Sequence, residues 1–244
     1  MSLSDAQVLA RLTTLEQQFH YKAAPTDNAW FDVVSGKVPV LVSAPHACSH
    51  ERDGVVKLQE EYTGALALYL AEVCHCHAIV TRYKTLEDPN WQTQSDYKDA
   101  IAELTSETDI RFLIDLHGMR NRHNMGVALG TINCRSCDAG AVLPHFKDAG
   151  FQETGVESLI PAQDSAWRKL VVDHPRFTGG VVNHTVTRFA ALECGVPAVQ
   201  IELSSEVRVV ESTATDDWPV DYRGKPEAVI ATVMALKSLV ASFT

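Results

Sequence analysis

The feature that most constrains this chain is a recurring alternation of short, β-branched apolar runs with stretches of helical period. Residues 38–44 (VPVLVSA), 77–82, 110–116, 125–132 and 198–203 each read as a buried strand. Between them lie helical segments. Residues 4–19 carry Val8, Leu12, Leu15 and Phe19 at helix spacing, and residues 58–73 carry Leu66, Tyr69, Leu70 and Val73. Ser95 is placed to cap a helix running to about Leu104. Residues 136–150 form a helix ended by Gly150, and 185–194 one stopped by Gly195 with Pro197 beyond. A last helix runs from Pro226 to about Phe243. Strands separated by helices of this length imply βαβ crossovers and a sheet covered on both faces. The expected fold is a single α/β domain spanning 1–244, three-layered with a mostly parallel central sheet, with the N-terminal helix packed on it. Residues 161–182 lack periodicity and read as a long loop of the kind that lines a site.

The chain has 244 residues, 45% hydrophobic and 21% charged, and a formal net charge of −10 without any basic run. Nucleic acid and anionic membranes, which need clustered Lys and Arg, are therefore poor partners. No window reaches the roughly 18 unbroken apolar residues of a membrane span. The start, Met1-Ser2-Leu3-Ser4-Asp5, lacks the basic and apolar parts of a secretory signal. Six scattered cysteines then read as reduced thiols in a cytoplasmic protein. Cys74-His75-Cys76-His77 and Cys134/Cys137 have metal-like spacing, but the first is split between a helix end and a strand; packed free thiols explain both. Cys48 has no orienting His–Asn pair in sequence, which disfavours a thiol nucleophile.

In parallel sheets, ligands sit beyond the carboxyl ends of the strands. Three of the runs end in chemistry: Ser43-Ala44-Pro45-His46, Asp115-Leu116-His117-Gly118 and Gln200-Ile201-Glu202-Leu203-Ser204. A glutamate inside an apolar strand costs several kcal/mol unless paired or protonated, so Glu202 points to function. Two histidines and carboxylates suit a catalytic zinc, which takes three protein ligands and keeps a position open for water. Zinc lowers that water's pKa to roughly 7, and a separate carboxylate moves the proton. Asp115, on the same strand face as His117, is placed to orient its imidazole.

The strings VLVSAPHACSH with LQEEYTGALALYLAE, LIDLHG, and TGGVVNHTVTRFA…CGVPAVQIELS resemble the N-formylglutamate amidohydrolase-like family over residues 38 to about 208. Their order is also similar to zinc N-acetylmuramoyl-L-alanine amidases and, more distantly, metallocarboxypeptidases. The resemblance implies a phosphorylase/hydrolase-like α/β fold and zinc-dependent cleavage of an amide next to a carboxylate. It makes His46 and His117 zinc ligands, Glu202 the general base and acid, and Glu61 the third ligand, with Glu60 and Glu51 as alternatives. HACSH departs from the family's small Ser-Gly turn after the His, which bears on the substrate rather than the metal.

Substrate recognition calls for cations and backbone donors. Arg120, Arg122 and Arg208 follow the catalytic strands, and Arg grips carboxylates bidentately. Gly179-Gly180, Asn183, His184 and Thr187 stand at a helix entrance that suits an anion. Arg82 and Asn90 follow the second strand toward the same cleft; His123 and His174 have no evident partner. The expected protein is a metal-dependent amidohydrolase with one Zn2+ per chain, acting on a small carboxylate-bearing linear amide. The competing readings are a non-catalytic metal- or carboxylate-binding module and a peptidoglycan-type amidase.

Overall fold

The computed structural model describes residues 3–26, 29–159, 166–212 and 221–244. Helix α1 (Asp5–Glu16) opens on a capping box between Ser4 and Gln7. Strands β1 (Phe31–Val34) and β2 (Val38–Ala44) precede a two-stranded hairpin, β3 (His50–Arg52) and β4 (Val55–Lys57). Helix α2 (Thr63–Cys74), β5 (Cys76–Thr81), α3 (Asp96–Glu107) and β6 (Phe112–Met119) follow. The second half holds β7 (Val127–Gly130), α4 (Leu143–Asp148), β8 (Gln152–Glu153) and β9 (Lys169–Val172). It closes with α5 (Val186–Leu192), β10 (Ala198–Ser204), α6 (Ser205–Arg208) and α7 (Pro226–Ala241).

Eight strands form one sheet in the order β1-β5-β2-β6-β10-β7-β9-β8. The central quartet β5-β2-β6-β10 is parallel throughout. β1 is antiparallel at one edge, and β10 meets β7 antiparallel, so β7, β9 and β8 run against the quartet. The sheet is thus mixed, with its parallel part at the centre, where burial on both faces demands apolar runs.

Strand alternation splits the core into two layers. Val40, Val42, Ile114, Leu116, Val199, Ile201 and Leu203 face one layer with residues of α1, α2, α4 and α7. Leu41, Leu113 and Ala198 face the other with Tyr97 and Ile101 of α3 and Val186 and Ala190 of α5. Asp115, His117, Gln200 and Glu202 share the alternation of this second face, so the polar strand-end residues lie on the α3/α5 side of the sheet.

Ser95 caps α3, accepting from Lys98 N at 3.3 Å, and Thr185 caps α5, accepting from Arg188 N at 3.0 Å. The helix expected from residue 58 begins only at Thr63. Residues 58–62 form a turn instead, held by Glu60 N donating to His46 O at 2.8 Å and by Tyr62 at φ 65°. The expected helix over 136–150 shrinks to α4 and one short 3-10 turn. Of the expected loop over 161–182, residues 161–165 lie outside the described residues, Ala166–Arg168 is a short 3-10 turn, Lys169–Val172 is β9, and residues 173–182 are irregular. Among the described residues, no helix is long and apolar enough to cross a membrane.

Candidate metal centre and cleft

His46 follows β2 and His117 sits near the end of β6, and the two imidazoles approach edge to face with centroids 4.8 Å apart. The carboxylate between them is Glu60. Its Oε1 is 3.2 Å from His46 Nδ1 and its Oε2 is 3.1 Å from His117 Nδ1. Gly118 N also donates to Glu60 Oε2 at 2.8 Å. Glu61 points elsewhere and accepts from Ser212 Oγ at 2.8 Å; Glu51 lies in β3, outside the cluster. The reason is local. With Tyr62 left-handed, the turn of 58–62 is pinned to His46 O, and this brings Glu60 rather than its neighbour to the strand ends.

Each imidazole is backed by a carboxylate on its far side. His46 Nε2 is 2.9 Å from Asp88 Oδ1, and His117 Nε2 is 3.3 Å from Asp115 Oδ2. Asp115, fully buried, accepts from Ser43 Oγ and Thr187 Oγ1, both at 3.1 Å. Asn90 Nδ2 stands 2.7 Å from His117 Nε2, and Val186 N fixes that amide by donating to its Oδ1 at 2.7 Å. Asp88 is held in turn by Arg52 Nε at 2.5 Å and by Asn90 N at 2.9 Å. Carboxylates that orient imidazoles in this way leave the opposite ring nitrogens directed to a metal.

His46, Glu60 and His117 offer ligand atoms all within 4.8 Å of one another. A second group, His46, His50 and Asp88, meets the same distance. Its carboxylate is already engaged by Arg52, and His50 stacks on His46 at 3.9 Å with its side chain buried. Glu60 is the more open carboxylate, and all three members of the first group line the cleft, so the donor set that fits a zinc is His46, Glu60 and His117.

Charge follows geometry. Burial works against a charged His46, but Glu60 and Asp88 outweigh it and lift its pKa to about 9. At His117 burial is likewise overcome, by Asp115 and Glu60, and the pKa rises. Glu60 moves the other way: the two imidazoles overcome burial and hold it well below the usual carboxylate range. Glu202 lines the same cleft and is 7% exposed. Burial pushes its pKa up to about 7, with His117 acting in the opposite sense and Glu60 adding to the rise. Gln200 Nε2 donates to its Oε1 at 3.2 Å.

Arg120, Arg122, Asn183 and Asn90 line the cleft, as do Gly179 and Gly180. Arg208 lines an adjoining cavity. Thr187 is buried on Asp115, and His184 is exposed with its carbonyl accepting from Lys98 Nζ at 2.6 Å; neither lines the cleft. Arg82 turns away to Asp32 at 3.0 Å. His123 is in the cleft wall and packs edge-on against Phe177, which also contacts His174. The six cysteines are free, none belongs to a candidate metal group among the described residues, and burial raises the Cys48 thiol to about 12, unsuited to a nucleophile.

No family model matches the sequence, and no curated protein does either. Among solved structures, the chain is similar to a bacteriophage poly-gamma-glutamate hydrolase, with 13% identity and a TM-score of 0.50 over 90% of this chain and 92% of that one. It is also similar to a putative carboxypeptidase A from Shewanella denitrificans (11%, TM-score 0.46, 98% of this chain and 69% of that one). A Zn-dependent exopeptidase from Parabacteroides distasonis gives 9% and a TM-score of 0.45 over 98% of each chain. The likeness to the hydrolase shows the fold alone, in keeping with the mixed-sheet, three-layer α/β domain described above. It does not single out the N-formylglutamate amidohydrolase-like family.

Proposed function

We propose that this chain is a zinc-dependent hydrolase that cleaves an amide bond of an N-acyl amino acid, N-formyl groups included, or of a small peptide. The observation that carries the reading is Glu60, placed between the Nδ1 atoms of two imidazoles whose Nε2 atoms are each backed by a carboxylate. His46, Glu60 and His117 hold the metal. When bound, zinc supplies a Lewis acid for the amide carbonyl and a water of lowered pKa. Asp88 and Asp115 fix the direction of the two imidazoles. Glu202, with a pKa near neutrality, takes a proton and returns it to the departing amine. Arg120, Arg122 and Asn183, in the cleft, and Arg208, beside it, receive the carboxylate of the substrate. The likeness in fold to a hydrolase is in keeping with this chemistry.

Metal analysis of the purified protein, followed by a screen of N-acyl amino acids and dipeptides, tests the reading. About one zinc per chain and amide turnover that a chelator abolishes are expected. A metal-free protein, or a metal-loaded one that binds these amides without turning them over, would remove it.

A further inference from the structure

Two cavities meet at Glu60, Gly118, Arg120 and Arg122. The first, of about 550 Å³, contains His46, His117 and Glu202 and reaches Arg176. The second, of about 760 Å³, leads from Glu60 and Gly118 to Arg208 and Tyr222. The candidate metal centre therefore lies at a junction, with room for a ligand group on each side of it.

Each side holds a cation that forms no ion pair among the described residues. Arg176 is exposed in the first cavity, and no carboxylate among the described residues pairs with it. Arg208 is the stronger observation. It is only 7% exposed, yet its Nε and Nη1 have no hydrogen-bond partner among the described residues. A buried guanidinium left unpaired is costly, because its N–H groups have given up water and gained nothing. Glu61 shares the cavity but is engaged by Ser212 and forms no ion pair with Arg208. Gly118 makes room for this arrangement: a β-carbon there would fall 2.7 Å from Arg208 Nε. The chain as a whole carries −10, so a cleft with cations at both ends is a local feature and not a reflection of composition.

We infer that the cleft takes a substrate with an anionic group on each side of the scissile amide, one received by Arg176 and the other by Arg208. The class is an N-acyl amino acid whose acyl half bears a carboxylate of its own. The position of the amide rests on the hydrolase reading above; the two anion subsites do not.

Calorimetry on the zinc-loaded wild-type protein, with suberate and with octanoate at fixed ionic strength, tests this. The two probes have equal chain length, and octanoate is the more apolar, so burial alone favours octanoate. Suberate is expected to bind at least about tenfold tighter, the scale of one charge-assisted hydrogen bond. Arg176→Gln and Arg208→Gln should each bring suberate down to the level of octanoate. Equal or weaker binding of suberate by the wild type overturns the inference. So does an Arg176→Gln variant, altered only at the surface, that keeps the full preference. A suberate preference in a protein that hydrolyses no amide would uphold the two subsites and remove the hydrolase reading alone.

Discussion

Glu202 and His117 are register partners on the parallel strands β10 and β6, side by side on the same face of the sheet. The pairing gives Glu202 a fixed place beside the candidate metal centre without making it a member of the His46–Glu60–His117 cluster. Ile201 and Leu203, its apolar neighbours, belong to the opposite core layer.

Glu202→Gln keeps the shape and the hydrogen-bonding capacity of the side chain but cannot carry a proton. Turnover should fall by about 10²–10⁴-fold, the usual contribution of general acid–base catalysis, while zinc content stays at the wild-type level. Loss of the metal in this variant would make Glu202 a ligand.

Glu60 and Glu61 separate the two possible third ligands. Glu60→Gln should lower zinc retention during dialysis by an order of magnitude or more, in step with His46→Ala and His117→Ala. Glu61→Gln should retain the metal, since its carboxylate engages Ser212. The reverse ranking, read by metal analysis after dialysis, would return Glu61 to the site.

Gly118→Ala places a methyl group against the Arg208 guanidinium, the movable end of a long side chain. The variant should fold and should lose affinity for substrate more than turnover at saturation. In an Arg208→Ala background the same change should have little effect. A double-mutant cycle on binding is expected to give a coupling of about 0.5–3 kcal/mol, and additivity would mean that the two residues act separately.

Glu16 offers a pH test away from the cleft. Burial lifts its pKa to about 7, against hydrogen bonds from Tyr21 Oη and, at 2.6 Å, Tyr62 N. The folded state thus holds a proton that the unfolded chain releases near its ordinary value of 4.5. The contribution of Glu16 to stability is complete below that value and is lost as pH rises toward 7, by about 3 kcal/mol at roughly 1.4 kcal/mol per unit. Glu16→Gln should flatten this part of the stability curve between pH 4.5 and 7. Denaturation midpoints of both proteins across that range check it; parallel curves would rule it out.

The strands at the centre were legible because burial on both faces leaves no choice but uninterrupted Val, Ile and Leu. β2 begins and ends where the apolar run does, and β10 extends it by one residue. With the parallel quartet in place, His46, His117 and Glu202 follow from the rule that ligands gather at strand ends. Glu60 could not be fixed from the sequence in the same way. The residue that decides between it and Glu61 is Tyr62, a non-glycine in left-handed conformation whose N–H is held by Glu16, 46 positions earlier. Asp88, in the irregular stretch after β5, has no periodicity to announce it; its role appears only when His46 is seen at 2.9 Å. β1, β8 and β9 are not legible in the sequence, because edge or near-edge strands of two to four residues are too short for a period to stand out from loop.

The place of β10 in the strand order bears on how the chain matures during synthesis. β7, β8 and β9 leave the ribosome before β10, but among the described residues their only strand ladder to the rest of the sheet is β7–β10. Until residues 198–204 emerge, one half of the sheet ends at an open β6 edge and the other lacks its ladder partner. A nascent chain stopped before that point holds His46, Glu60 and His117 but lacks Glu202 and Arg208. The three candidate metal donors thus precede this seven-residue strand in the chain, while the candidate proton carrier comes with it, so the cleft is complete only when the last central strand is in place.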